Sequence, residues 1–218
     1  MKGRDIMKIA LIGSTGNAGK RILNEAINRG HEVIAIVRDE LKIKDNNENL
    51  TVLNGDIFKL DTLENKLEGV DVLVSAFGPK FGEENTLIEA TNNLISLVKK
   101  SGTNRLVVMG GAGSLKVEDG TELVNTEGFP ADWKPVALAH SESLDIYRSE
   151  KEVNWTYLSP AALIEPGERT GKYTIGDEYL VVDEKGQSKI SFEDFAVAIM
   201  DEIEAPKHIK SRFTVAYK

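Results

Sequence analysis

The chain has 218 residues and 24.0 kDa, with 41% hydrophobic and 28% charged residues, a balance that fits a globular protein with one buried core. Lys+Arg 27 against Asp+Glu 35 leaves a net charge of -8, which argues against a nucleic-acid or anionic-membrane surface. The absence of cysteine excludes disulfides, thiolate nucleophiles and cysteine-ligated metals, and three dispersed histidines (His31, His140, His208) argue against a histidine-rich metal site.

The opening "MKGRDIMKIALIG" is polar and runs straight into a strand, unlike a signal peptide, and no apolar run reaches membrane-spanning length. A soluble cytoplasmic protein is expected, with a small-molecule substrate, no nucleic-acid or membrane partner, and a monomeric or homodimeric state. Ile9-Ala10-Leu11-Ile12 reads as a buried parallel strand ending at glycine. "KRILNEAINRG" then places Ile22, Leu23, Ala26 and Ile27 at helical spacing, with Gly30 as a stop. Strands follow at "HEVIAIVR" and "LTVLNGD", a short helix at Asp61–Leu67, and a fourth strand at "VDVLVSAFG". A longer helix at Glu84–Lys100 turns Leu87, Ile88, Ala90, Leu94, Ile95 and Val98 inward, and "NRLVVMGG" is a fifth strand. Later come a helix at Ala137–Lys151, a strand at "NWTYLSP", an amphipathic helix from Ser191, and a closing strand at "RFTVAY". The alternation of strand and helix implies a Rossmann-like, doubly wound α/β fold built on a parallel sheet. One domain over 1–218 is expected, with residues 1–6 as an extension and the later segments as a small substrate-side lobe.

Between the first strand and first helix lies "GSTGNAG", Gly13 to Gly19. Gly13, Gly16 and Gly19 leave room for a pyrophosphate to approach backbone N–H groups and a helix N-terminus; Asn17 and Ala18 open that helix, and Ser14 and Thr15 can add hydroxyl donors. The alternative is a glycine-rich turn without a ligand, but the βαβ context favours a dinucleotide. At the end of the second strand Arg38 replaces the acid that would grip a ribose 2′-OH, and a guanidinium there suits the 2′-phosphate of NADP. Its bland reading is a solvated surface arginine. NADP is the expected cofactor, with NAD also open.

The segments "KIALIGSTGNAGKRI", "HEVIAIVRD", "LNGDIF" and "DVLVSAFGP" resemble the atypical short-chain dehydrogenase/reductases. "VMGGAGSL", "NWTYLSPAALIEPGERTGKY", "SKISFEDFAVAIMDEIE" and "HIKSRFTVAY" are similar to the NAD(P)H-binding, NADH-flavin-reductase-like subgroup, relatives of NmrA-like and biliverdin/flavin reductase proteins. The resemblance runs from Met7 to the end. It implies that Asp56 and Ile57 lie near the adenine, and that Ser75, Ala76, Phe77 and Gly78 pass along the adenosine ribose and pyrophosphate. It puts Met109, Gly110 and Gly111 by the nicotinamide ribose, and Ser159, Pro160, Ala161 and Ala162 by the nicotinamide. Asp56 can equally be a turn residue.

"YRSEK" contains Tyr147 and Lys151 in the Tyr-x-x-x-Lys spacing of short-chain dehydrogenases. Yet Pro160 follows Tyr147 by only 13 residues, which puts the tyrosine in its helix's last turns, at the end away from the cofactor loops. Tyr147 therefore reads as a packing residue and Lys151 as a helix-end cation. Candidates nearer the nicotinamide are His140, as general acid or surface histidine, and Ser114, near the family's catalytic serine or a loop residue. Arg169 is a candidate for holding an anionic substrate or flavin phosphate, or a plain loop arginine. The thin set of acids favours hydride transfer to a flavin- or quinone-like acceptor, whose second proton can come from solvent. An NmrA-type sensor binding NADP without turnover is the alternative; an epimerase would need the displaced Tyr/Lys pair. The polar stretch from Leu115 to Pro135 reads as a substrate-side loop.

Overall fold

The computed structural model describes residues 5–63 and 65–218; most of the expected extension before Met7 lies outside them, and Asp5 and Ile6 are exposed coil. The β-branched runs form strands β1 (Lys8–Ile12), β2 (Glu32–Val37), β3 (Leu50–Asn54), β4 (Val72–Ser75), β5 (Arg105–Met109) and β6 (Asn154–Ser159). Helices α1 (Asn17–Asn28), α2 (Thr86–Ser101), α3 (Lys134–Ser149) and α4 (Phe192–Glu204) occupy the segments of helical period. Three short strands, β7 (Leu163–Glu165), β8 (Thr174–Gly176) and β9 (Lys189–Ser191), precede the closing strand β10 (Ser211–Ala216).

Eight strands make one sheet in the order β3-β2-β1-β4-β5-β6-β10-β8, parallel throughout except for β8 against β10. Strand pleating sends Ile9 and Leu11 to one face and Ala10 and Ile12 to the other, and both faces are covered. The first face packs under α1 and α4 around Ile22, Phe195, Ile199 and Phe213. The second packs under α2 and α3 around Leu94, Leu106, Leu144 and Tyr147. Phe195 is fully buried, a transfer stabilising the fold by about 2–3 kcal/mol. This is the Rossmann-like doubly wound fold, with a small C-terminal helix and short strands added.

Element boundaries follow local chemistry. Helix α3 begins three residues before Ala137 because Pro135 fits a first helical turn, and it stops at Ser149. Helix α2 begins at Thr86 rather than Glu84, whose carboxylate instead accepts the Gly82 N–H. In place of a helix over Asp61–Leu67 there is a short 3-10 turn, Leu60–Thr62, followed by further turns among the described residues. Leu63 and Leu67 are both fully buried, so the helical spacing is real, but i+3 bonds from Lys66 and Val70 and the left-handed Gly69 carry the chain there. Ser191 caps α4 by accepting the Asp194 N–H, as its position before "FEDF" implies.

The C-terminal additions are held by buried polar groups. The fully buried Asp194 carboxylate accepts from the backbone of Thr170 and Gly171 and from the Thr170 and Tyr217 hydroxyls, which ties the 166–171 loop to α4. Strands β7 and β9 pair in parallel as a separate two-stranded sheet beside it. Glu202 on α4 accepts from Arg105 at 2.8 Å, from the backbone of His208, and from the His208 ring, which stacks on Phe213.

Candidate nucleotide-binding site

Because β1 to β6 are parallel, the segments that follow them emerge along one edge. Neighbours β2 and β4 flank β1 on opposite sides, so the edge beyond β1 is the switch point where open α/β sheets bind ligands. Gly13 there has φ +80, and a Cβ on it would stand 2.5 Å from the Ala76 carbonyl oxygen after β4. A Cβ on Gly19 would stand 2.0 Å from the Gly13 carbonyl oxygen, so helix α1 docks directly on the turn below it. The Gly16 N–H donates to Gly13 O at 3.0 Å and closes the loop. Gly16 is the N-cap with no side-chain hydrogen bond, and the first turn of Asn17, Ala18 and Gly19 carries no acid. Uncapped N–H groups without a neighbouring carboxylate are the donor set an anion needs. The Ser14 hydroxyl is buried without a hydrogen-bond partner among the described residues, a polar atom that a bound phosphate would satisfy. These residues fit the diphosphate of a dinucleotide.

Arg38, directly after β2, is exposed, and its guanidinium makes no hydrogen bond or ion pair among the described residues. Asp39 beside it is occupied, accepting the Leu41 N–H at 3.1 Å to cap a 3-10 turn. After β3, Asp56 forms an Asx turn with the Phe58 N–H, while the carbonyl of buried Ile57 accepts from Asn93. Phe58 meets Phe77 edge-on at 5.5 Å, joining the β3 and β4 segments beside the switch point. Ser75 is buried, its hydroxyl accepting the Phe77 N–H at 3.3 Å, and Gly78 beyond is exposed.

The other half of the edge is ordered by a tyrosine that periodicity alone does not single out. The Tyr157 hydroxyl, on β6, accepts the Gly111 N–H at 3.3 Å and donates to the His140 carbonyl at 2.9 Å. Its ring fills the space a Gly110 side chain would take: a Cβ there would meet it at 1.9 Å. His140 in turn packs beneath Gly111, whose absent Cβ would meet the imidazole Cγ at 2.8 Å. Burial lowers the His140 pKa to about 4, so the ring is neutral at pH 7. The Tyr157 hydroxyl also lies 3.2 Å from His140 Nδ1, so that ring nitrogen is engaged by Tyr157 in either tautomer. Met109 is half-buried at the end of β5, Ser159, Pro160 and Ala161 are buried beyond β6, and Ala162 is exposed. The Ser159 hydroxyl is a second buried group without a partner among the described residues.

A family model for NAD(P)H-binding proteins matches residues 13–206, which includes every one of these segments. The chain belongs to that NAD(P)H-binding family. YwnB of Bacillus subtilis, an uncharacterized protein, is 43% identical over 212 residues, which are 96% of this chain and 98% of YwnB. A Bacteroides thetaiotaomicron structure provisionally described as an epimerase matches with TM-score 0.91 and 43% identity over 98% of each chain. One from Streptococcus pneumoniae, provisionally described as an NADH-flavin reductase, matches with TM-score 0.85 and 40% identity over 97% of this chain and 100% of its own.

Within this NAD(P)H-binding frame the remaining candidates take structural partners. Tyr147 is fully buried between Trp155 and Tyr157, with ring centroids 5.9 Å from each, and burial raises its pKa. Lys151 donates to the Arg148 carbonyl at 2.9 Å and closes the end of α3. Ser114 accepts from Arg212, a buried arginine that also pairs with Glu178. Arg169 forms a bidentate pair with buried Glu25, both bonds 2.7 Å, and this pairing lowers the Glu25 pKa. The loop from Leu115 to Pro135 folds back on itself: Leu123 and Val124 donate to Leu115 and Gly113, and Leu115 and Val124 are buried. A hollow of about 560 Å³ is lined by Tyr173, Tyr217 and neighbours beyond β10 and contains none of the expected cofactor residues.

Proposed function

We propose that the protein is an NADPH-preferring reductase that passes hydride to a flavin- or quinone-like acceptor. The loop 13–19 would hold the pyrophosphate and Arg38 the 2′-phosphate, while Asp56 and Ile57 border the adenine and Ser75 to Gly78 the adenosine ribose. Met109 to Gly111 and Ser159 to Ala162 would border the nicotinamide end. Bound NADPH supplies a hydride, two electrons and one hydrogen; the acceptor is reduced by taking that hydride and one proton from water, leaving NADP⁺.

The observation that carries this reading is the absence, among the described residues, of an accessible, committed proton donor beside a loop whose uncapped N–H groups and unpartnered Ser14 hydroxyl suit a diphosphate. His140 is neutral with Nδ1 held against the Tyr157 hydroxyl, Ser114 is bound to Arg212, and Tyr147 is sealed in the core. A ketone or alcohol substrate needs a positioned acid, whereas a flavin or quinone needs orientation and exclusion of water. The Streptococcus relative's provisional description agrees with this chemistry. The free Arg38 guanidinium and the occupied Asp39 carboxylate support NADP over NAD.

The test is to mix the protein with NADPH and, separately, riboflavin, FMN and quinones, following the nicotinamide absorbance. Saturable loss of NADPH with at least one acceptor is the expected result. Saturable NADPH binding without oxidation across the panel would replace the reductase with a sensor of NmrA type.

A further inference from the structure

Two large aromatic side chains stand in solvent beside the sheet edge that the reductase reading gives to its cofactor. Phe81 is 82% exposed and Trp133 66% exposed, and both line one hollow of about 420 Å³. That volume is of the size that takes small planar ligands. The hollow is built by the segment after β4, through Phe81, and by the approach to α3, through Trp133 and Val136. Both segments belong to the edge that carries the nucleotide-binding loops. Val136 precedes His140 by one helical turn, about 6 Å along the axis. His140 packs on Gly111, and Ala137 packs on Gly113, whose absent Cβ would stand 2.8 Å from the Ala137 Cβ. The hollow therefore opens one turn above the loop expected at the nicotinamide ribose.

Its charge discriminates among acceptors. The polar members of the lining are Lys80, Glu84 and Asp132, one positive against two negative. Lys80 is paired with Glu83 at 3.6 Å, which brings another carboxylate to the rim. Among the described residues no guanidinium lines the hollow to clamp a phosphate. The whole chain adds a net charge of -8. An acidic rim repels an anionic ligand and leaves an uncharged ring system free to stack.

Resting on the reductase reading above, we infer that Phe81 and Trp133 form the acceptor site and that its ligand is an uncharged planar aromatic ring system, riboflavin or a naphthoquinone, rather than phosphate-bearing FMN. Trp133 is also a built-in reporter, since the chain has 2 tryptophans and the other, Trp155, is 2% exposed.

Binding is measured without turnover, by equilibrium dialysis and Trp133 fluorescence quenching, with riboflavin, menadione and FMN against the NADP⁺-saturated protein. Riboflavin or menadione is expected to bind at least tenfold more tightly than FMN. Phe81→Ala and Trp133→Ala should each weaken that binding roughly tenfold, read by dialysis for Trp133→Ala. NADP⁺ affinity and melting temperature should stay unchanged, because both side chains are exposed. Asp132→Asn should narrow the preference against FMN. The inference is overturned if neither uncharged ligand binds, if FMN binds as tightly as riboflavin, or if both alanine variants bind like the parent. NADPH oxidation by the parent that persists undiminished in both variants would remove this site while leaving the reductase. Binding here without any NADPH oxidation would do the reverse.

Discussion

Gly19→Ala isolates the contact on which the proposed nucleotide cradle rests. The added Cβ would stand 2.0 Å from the Gly13 carbonyl oxygen and 2.7 Å from the Gly13 carbonyl carbon. An ordinary carbon–oxygen contact is about 3.3 Å, so α1 and the turn must separate by about 1.3 Å. No flexible side chain can absorb that shift, because the obstacle is backbone. The same carbonyl accepts the Gly16 N–H, so the separation also strains the bond that closes the loop. Overpacking of this kind costs about 1–3 kcal/mol of stability, a fall in melting temperature of roughly 2–12 °C for a chain of this length. Losing one charge-assisted N–H bond to phosphate adds about 1.5–3 kcal/mol to the binding free energy, or roughly 10- to 150-fold in Kd. Gly30→Ala is the control: Gly30 sits at φ +85 with nothing within 4 Å of its absent Cβ, so it should lower stability and leave cofactor affinity intact. Calorimetric titration with NADPH and thermal melts decide the matter. Affinity within threefold of the parent in Gly19→Ala, with an unchanged melt, would refute the assignment of this loop.

Four further outcomes follow from the same structure. Arg38→Ala should weaken NADPH binding about 10- to 100-fold and leave NADH binding within twofold, with no change in melting. Burial lowers His140 from its ordinary range to about 4, so its contribution to stability is fully present above pH 6.5 and is lost as pH falls through 4. His140→Asn should flatten the pH dependence of urea unfolding between those limits by up to about 3 kcal/mol; a profile parallel to the parent's would contradict the buried neutral ring. Glu202→Ala strips the buried Arg105 of its carboxylate partner and should cost about 3–5 kcal/mol in chemical denaturation, while Glu202→Gln should cost less. Tyr147→Phe removes a buried hydroxyl without a hydrogen-bond partner among the described residues and should change stability by less than about 1 kcal/mol. It should also leave NADPH oxidation intact; near-total loss of that activity would restore Tyr147 as a catalytic residue.

The βαβ frame is legible in the chain because its signals are local. Ile9 to Ile12 is an unbroken apolar run, Gly13 must turn with positive φ, and Gly30 ends α1 with another left-handed residue. Tyr147 could be placed near the end of its helix by counting residues to Pro160, and the structure puts it two residues before the last, Ser149. What stayed hidden depends on tertiary packing. Strands β7, β8 and β9 have three residues each, too few for a period to declare itself. Tyr157 looks like any strand aromatic until Gly110, far away in sequence, is found to leave space for its ring. The commitment of Arg169 to Glu25, 144 residues apart, has no local signal either. Trp133 lies in the Leu115–Pro135 stretch that reads as a substrate-side loop, but its pairing with Phe81 is invisible in the sequence because both rings lie outside any regular element or at its margin.

A crystal structure with NADP⁺ bound decides whether the 13–19 loop holds the dinucleotide. Pyrophosphate oxygens are expected on the backbone N–H groups of residues 14–19, with the Ser14 hydroxyl satisfied. The 2′-phosphate should sit on the Arg38 guanidinium, and the nicotinamide between Gly111 and the segment Ser159 to Ala162. A nucleotide seated in the hollow beyond β10, or a 2′-phosphate directed away from Arg38, would contradict this placement.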